Sequence, residues 1–208
     1  LRLIFDSKAP FAAGTDWEYS DTNYIVLGMI IEKITGRPYY DELRRRILEP
    51  LRLANTIPSD RPHLPRVANG YAGPKNELGG FDATISNGRM RMNPQMEWTG
   101  GGIASTTAEL AQWAKLLYEG KAFAPELLPQ MLDGVPAKLG PSSRYGLAAI
   151  LRETQLGASV GHSGFFPGYA SDMMYWPSTK IAAALQVNVT GPYPRGKGQL
   201  LARAARIV

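Results

Sequence analysis

The sequence contains no cysteine among its 208 residues. This absence excludes disulfide bonds, thiolate metal sites and a cysteine nucleophile. Histidine is almost as scarce, because only His63 and His162 are present. Two histidines do not make a histidine-rich metal cluster. We therefore expect neither a metal ion nor an organic cofactor.

Long apolar runs are missing as well. The longest covers residues 24–31, far short of the roughly 20 residues that a membrane-spanning helix needs, so we expect no membrane span. The net charge of +5 is modest, and the basic stretches "RPHLPR" and "GRMRMNP" have no aromatic residues among their charges. This pattern does not favour nucleic-acid binding. With 44% hydrophobic and 20% charged residues, the composition is that of an ordinary folded domain.

Helix and strand patterns occupy different parts of the chain. Residues 1–134 carry helix patterns and long stretches rich in proline, glycine and asparagine, whereas residues 135–208 carry strand-length apolar runs and a final helix pattern at 198–208. Consecutive strands joined by short turns pair antiparallel, and helices then cover the sheet. The sequence predicts an α+β fold.

The stretch "EYSDTNY" stands directly before an almost wholly apolar helix pattern. Asp21 or Thr22 has a side chain suited to cap this helix, which should end before Gly36. Because the pattern is apolar on nearly all sides, we expect the helix to be buried. Tyr19 and Asp21 then have two interpretations: they are ordinary residues at the start of a core helix, or they face a catalytic cleft.

The stretch "VGHSGFFPGY" lies at the end of a predicted strand. It can be a polar turn with His162 on the surface. It can also be a nucleophile elbow in which Ser163 attacks the substrate, although Phe165 then stands where that motif has glycine and a strand follows where it has a helix. The third interpretation comes from the order of the motifs along the chain.

Three stretches occur in one order: "EYSDTNY", "WTGGGIASTTAELAQWAKLL" and "GHSGFFPGYASDMMYWP". Together they resemble the serine β-lactamase and penicillin-binding protein superfamily, in the branch of D-alanyl-D-alanine carboxypeptidases, class C β-lactamases and related esterases. The resemblance extends from about residue 10 to the final helix pattern and implies a serine β-lactamase-like fold. Such enzymes acylate an active-site serine and then hydrolyse or transfer the acyl group. Their motifs are SxxK at a helix start, Y-x-N on a loop, and K-T-G or H-x-G on a strand.

The resemblance implies catalytic roles for Tyr19, Asp21 and His162 and substrate- or oxyanion-binding roles for Ser163, Gly164 and Phe165. Tyr19 would be the general acid and base, and His162 would tune it. A phenol, with an ordinary pKa near 10, needs nearby positive charge to act as a base at neutral pH. The backbone N–H of Phe165 would be one donor of the oxyanion hole.

Asp21 stands where the family usually has asparagine. A carboxylate offers only acceptors and negative charge, whereas an amide also offers a donor to a substrate carbonyl. We therefore expect poor β-lactam hydrolysis and better activity on simple esters or on substrates with a free amine.

The SxxK motif is absent, because none of the serines is followed by lysine three residues later. We therefore expect residues 1–208 to be the C-terminal portion of one β-lactamase-like domain, inactive alone and completed by an upstream segment of the same protein. The substrate would be a small molecule or a peptide, cleaved in a carboxypeptidase-like or β-lactamase-like reaction. The alternative is a family member that has lost its nucleophile and only binds ligands. The family suggests export to the periplasm or outside the cell, while the sequence itself leaves the location open.

Overall fold

A computed structural model describes residues 6–74, 78–191 and 201. Within these ranges the α-helices are α1 (Asp21–Thr35), α2 (Tyr39–Leu43), α3 (Thr107–Tyr118) and α4 (Leu128–Leu132). Shorter helical turns are a π-helical turn at Arg44–Leu48 and 3-10 turns at Pro94–Met96, Trp98–Gly100 and Pro125–Leu127. The strands are β1 (Ile57–Pro58), β2 (Ile85–Ser86), β3 (Arg89–Met90), β4 (Ile103–Ala104), β5 (Val135–Pro136), β6 (Arg144–Tyr145), β7 (Ile150–Thr154), β8 (Gly157–Phe166), β9 (Tyr169–Trp176) and β10 (Ile181–Val187). Helices together with antiparallel strands confirm the predicted α+β class.

Strands β5 to β10 form one antiparallel sheet in which each strand pairs with the next in sequence. Strand β8 is longer than β7, and their pairing ends where Gly161 lies opposite Ile150. On its other side β8 stays paired with β9 as far as Phe166, which lies opposite Tyr169. From His162 onward, β8 therefore extends past β7 while β9 still supports it.

Helix α1 begins earlier than predicted. Ser20 is the N-cap residue, with an extended backbone at φ −151°, and Asp21 is the first helical residue. The Asp21 carboxylate does not cap the helix but accepts a hydrogen bond from Tyr19. The predicted cap at Asp21 or Thr22 is therefore wrong. The end was predicted correctly, since Gly36 adopts a left-handed φ of 66°, which glycine allows without strain.

The expected burial of α1 is wrong for this chain. Its exposed apolar side chains are Val26, Leu27, Met29, Ile30, Ile31 and Ile34. Gly28 is the buried residue of the helix, and a Cβ atom there would overlap the side chain of Thr99. The Thr99 hydroxyl donates to the carbonyl of Tyr24 over 2.7 Å. Among the described residues, α1 packs mainly against α2 and against the 3-10 turn Trp98–Gly100, which contains Thr99. Much of the apolar surface of α1 is therefore uncovered.

Helix α3 packs on the sheet and anchors the core. Thr106 caps it, because its side chain accepts from the Glu109 N–H over 3.2 Å. In the sequence, Thr106 and Glu109 have the spacing of a capping box, which predicts that Glu109 also caps the helix start. Only half of this box forms, since the buried Glu109 carboxylate instead accepts hydrogen bonds from Asn55 and Thr56. The buried core residues of α3 and the sheet are Ala114, Leu117, Tyr118, Ala149, Val160, Met173 and Tyr175.

The other predicted elements have mixed outcomes. Pro38 is typical of a helix start and predicts a second helix after α1. This helix forms as α2 and continues as the π-helical turn to Leu48. The closing helix predicted at 198–208 lies outside the described residues except for Leu201, which is helical and packs with Met174 and Trp176. None of the helices in the described ranges combines the length and apolarity of a membrane-spanning segment.

Candidate active site

The N-terminal end of α1 faces the part of β8 that extends past β7, from His162 onward. The rings of Tyr19 and His162 lie with their centroids 6.1 Å apart. The Tyr19 hydroxyl donates to Asp21 Oδ1 over 2.9 Å, and the Tyr19 side chain is 41% exposed. Gly100 packs closely against Asp21: a Cβ atom on Gly100 would lie only 3.3 Å from the Asp21 Cβ atom. The structure thus brings together the three residues that the sequence predicted to be catalytic.

His162 is held at both ring nitrogens. Its Nδ1 lies 2.7 Å from the carbonyl oxygen of Ser163, and its Nε2 lies 2.9 Å from the hydroxyl of Tyr145. Burial lowers the pKa of His162, and the charge of Arg152 lowers it further, while the Ser163 carbonyl and the charge of Asp21 oppose this. His162 is accordingly a neutral hydrogen-bonding group at neutral pH, not a cation.

Tyr19 lies in surroundings that keep its phenol protonated. Burial raises its pKa most, and the hydrogen bond to Asp21 and the negative charges of Asp21 and Glu97 raise it further. An unionised phenol still holds a proton that it can give to a strongly basic leaving group, but it is a poor base because it lacks the anionic form that would accept one. In these surroundings Tyr19 can act as an acid, and it needs an added positive charge to act as a base.

The predicted oxyanion side of the site lies on β8. Ser163, Gly164 and Phe165 are successive residues within the strand. Ser163 is therefore not on a strand-to-helix turn, and the nucleophile-elbow interpretation is wrong. The Phe165 side chain is 61% exposed. Gly164 pairs with Ser171 of β9, and a Cβ atom on Gly164 would collide with the Ser171 hydroxyl.

Two residues near the site were missed at the level of sequence. Tyr145 contacts His162 through its hydroxyl and Tyr19 through a T-shaped ring contact with centroids 6.1 Å apart. Glu97 lies near Asp21. Burial is the main cause that raises the pKa of the Glu97 carboxyl, and the negative charge of Asp21 raises it further. Neither residue belongs to a local motif, so composition and spacing gave no signal for them.

An apolar cavity of about 620 Å³ lies between α1, α2 and α3 and reaches Ser171 of β9. Ile31 and Ile34 of α1, Ile47 of the π-helical turn, and Leu110 and Trp113 of α3 contribute to its wall. Within the described ranges, no group of three or more histidine, aspartate or glutamate side chains could hold a metal ion.

Tyr19 at the start of α1 faces the H-x-G stretch of β8, on a sheet that α3 covers, which is the arrangement expected from the resemblance to the serine β-lactamase superfamily. Residues 1–206 match the sequence model of the family described as Beta-lactamase. The chain belongs to this family, which confirms the resemblance seen in the motifs.

Named relatives are hydrolases and penicillin-binding proteins. The chain is 25% identical over 176 residues to penicillin-binding protein 4* of Bacillus subtilis, with 79% of this chain and 38% of that protein covered. It is 28% identical over 176 residues to teichoic acid D-alanine hydrolase of Staphylococcus aureus, with 83% and 40% covered. A crystal structure of a D-stereospecific amidohydrolase from Streptomyces sp. matches with a TM-score of 0.74 and 26% identity, covering 86% of this chain and 52% of that one. The chain thus spans 38% to 40% of the length of the two curated relatives.

Proposed function

We propose that this chain is the acid/base and substrate-binding part of a serine hydrolase that cleaves esters or amides of D-amino acids through an acyl-enzyme. The observation that carries the proposal is the approach of Tyr19 and Asp21 to His162 across the cleft between α1 and β8. The nucleophilic serine and its lysine belong to a segment N-terminal to Leu1. The family membership and the named hydrolases support this reaction class.

In the proposed reaction the serine Oγ attacks the substrate carbonyl carbon, and the serine proton passes to the lysine–Tyr19 pair. The resulting oxyanion accepts hydrogen bonds from the serine N–H and the Phe165 N–H. The bond to the leaving group breaks as Tyr19 gives that group a proton. Water then attacks the acyl-enzyme, and its proton returns through Tyr19 to the serine.

The positive charge of the proposed lysine would offset the surroundings that raise the pKa of Tyr19. Its pKa is raised by burial and by Asp21, and a nearby ammonium group would lower it. Tyr19 could then both accept and donate a proton during one cycle. This requirement supports a cationic residue outside the described ranges and is consistent with the family's SxxK motif.

The exposed surface of α1 supports an upstream segment of the same protein. Ile34 is 79% exposed, and with Ile31 it borders the apolar cavity beside α2 and α3. An apolar surface of this kind usually marks a contact with another segment or protein. A helix that carries the nucleophile, packed here, would cover α1 and bring its serine towards Tyr19.

The substrate class follows from the charge at the site. Asp21 and Glu97 lie near Tyr19, so the cleft favours a positively charged group next to the scissile carbonyl. A D-aminoacyl substrate with a free α-ammonium group has this charge, whereas an N-acylated peptide or penicillin does not. The names of the Staphylococcus and Streptomyces proteins refer to D-alanine and to D-stereospecific hydrolysis, which supports the choice.

The test is covalent labelling of the intact protein and of residues 1–208 alone with a fluorophosphonate and with fluorescent penicillin. We expect the intact protein to react at a serine outside these residues and to hydrolyse D-alanine p-nitroanilide faster than its L-enantiomer. The isolated chain should not be labelled. Labelling of Ser163 would contradict the proposal, and an intact protein that binds but never turns over would identify the ligand-binding alternative.

A further inference from the structure

Tyr145 occupies the centre of an aromatic cluster at the cleft. Its ring lies 5.1 Å from the ring of Trp17, 6.1 Å from that of Tyr19 and 5.7 Å from that of His162, measured between centroids. Tyr145 is buried and pairs with Ile150 of β7. It is therefore fixed by the sheet while it touches residues from both sides of the cleft.

The hydrogen bonds of His162 determine where its proton lies. The Ser163 carbonyl can only accept, so Nδ1, which lies 2.7 Å from it, must carry the hydrogen. In a neutral imidazole the other nitrogen is then an acceptor. The Tyr145 hydroxyl, 2.9 Å from Nε2, must therefore be the donor. A flipped ring would lose both hydrogen bonds.

The neutral state of the ring agrees with its surroundings. Burial is the main cause that lowers the pKa of His162, and Arg152 is the positive charge that acts in the same direction. Asp21 is the negative charge that opposes them. The phenols that face the ring are those of Tyr19 and Tyr145.

Tyr145 also lies next to α1. Burial is the main cause that raises the pKa of Tyr145, and Tyr24, in the first turn of α1, raises it further. Tyr145 thus lies between the helix that carries Asp21 and the strand that carries His162.

We propose that Tyr145 is a positioning residue, which donates a hydrogen bond to Nε2 of the Nδ1–H form of His162 and so sets the orientation of the ring relative to Tyr19. This inference rests on the proposed function in one respect, namely that the proposed function makes His162 part of an active site. It implies that both ring nitrogens of His162 are already used by the protein. His162 would then act by presenting a fixed, uncharged ring edge to Tyr19 and not by exchanging a proton with substrate.

The experiment uses Tyr145→Phe in the intact protein labelled with 15N-histidine, with the His162 signals assigned by their loss in His162→Gln. Phenylalanine keeps the ring contacts and removes only the hydroxyl. We expect Nδ1 to carry the hydrogen in both wild type and variant, and the Nε2 resonance of the variant to move to the position of a nitrogen without a hydrogen-bond donor. The turnover number should fall roughly 10-fold or more with little change in KM, because the acid/base pair is displaced and the substrate contacts are not.

The matched control is Tyr118→Phe, which removes a hydroxyl of a buried tyrosine that has no hydrogen-bond partner among the described residues. It should leave both the His162 spectrum and turnover unchanged. A wild-type His162 with its hydrogen on Nε2, or an Nε2 resonance that ignores Tyr145→Phe, would overturn the proposal. The spectra do not depend on turnover, so an inactive wild-type protein with the expected spectra would refute the proposed function and leave the role of Tyr145 in orienting His162 intact.

Discussion

Tyr19 donates a hydrogen bond of 2.9 Å to Asp21 Oδ1, so the proposed acid and the carboxylate beside it form one unit at the start of α1. The carboxylate has two effects. It raises the pKa of Tyr19, and it adds negative charge to the place where a substrate would lie. Both effects depend on the charge of this carboxylate, which a substitution by asparagine removes.

Asp21→Asn should change which substrates are preferred. The ratio of kcat/KM for N-acetyl-D-alanine p-nitroanilide to that for D-alanine p-nitroanilide should rise roughly 10-fold or more, since a charge-assisted contact to the ammonium group is lost. Asparagine would also supply a donor for the acyl carbonyl. The control is Asp41→Asn, an exposed carboxylate that pairs with Arg44 on another helix. An unchanged ratio together with a lower free energy of unfolding would mean that Asp21 serves only the helix.

Substitution of Gly164 should lower both stability and turnover. Gly164→Ala forces the new Cβ atom against the Ser171 hydroxyl, and overpacking of this kind costs about 1–3 kcal/mol. Phe165→Leu should have little effect on turnover, because the proposed role of Phe165 uses only its backbone. Gly164→Val should depress turnover further than Gly164→Ala.

The double variant Gly164→Ala/Ser171→Ala distinguishes packing from substrate binding. Compared with Gly164→Ala alone, it should regain most of the free energy of unfolding that this single variant loses, measured by urea denaturation. Low turnover at restored stability would support the need for space beside the acyl group. Recovery of turnover would mean that Gly164 matters only for packing against β9.

Stability should depend on pH through His162. Its pKa in the folded protein is lowered from the ordinary value of about 6.5 that applies to the unfolded chain. In the window between these two values the unfolded chain binds more protons, so the free energy of unfolding falls as the pH drops below about 6.5. His162→Gln should flatten this part of the profile. His63→Gln is the control, since His63 is exposed and its Nδ1 lies 2.7 Å from the Gly88 carbonyl; an equal effect of both variants would refute the assignment.

The exposed face of α1 predicts a difference between the intact protein and the isolated chain. Met29→Asp should destabilise the intact protein by about 2–4 kcal/mol, because a charge would be buried against the proposed upstream segment. Val135→Asp is the control at a residue exposed to a similar degree, 51% against 49% for Met29. In the isolated chain, Met29→Asp should instead reduce self-association, measured by light scattering. Equal, small effects of both variants in the intact protein would show that α1 stays uncovered.

Local patterns predicted those parts of the structure that depend on neighbouring residues. The end of α1 followed from Gly36, and the grouping of Tyr19, Asp21 and His162 followed from family motifs. Tyr145 was missed because it meets Tyr19 only after the chain has folded back on itself. Glu109 illustrates the same limit, since a local rule assigned its carboxylate to the helix start and the distant Asn55 uses it instead. Burial of α1 was overestimated because an apolar pattern indicates a need for cover without saying which segment supplies it.

The order of strands β5 to β10, each beside its neighbour in sequence, has a kinetic consequence. Hairpins between adjacent strands close in about 1–10 μs, whereas contacts between distant parts of a chain form slowly because loop closure costs entropy before any contact forms. The sheet that carries His162 can therefore assemble early from its own hairpins. The meeting of Tyr19 with His162 joins opposite ends of the described chain and would be among the last steps of folding. In a newly made chain the sheet would thus be complete for a time before the candidate active site forms.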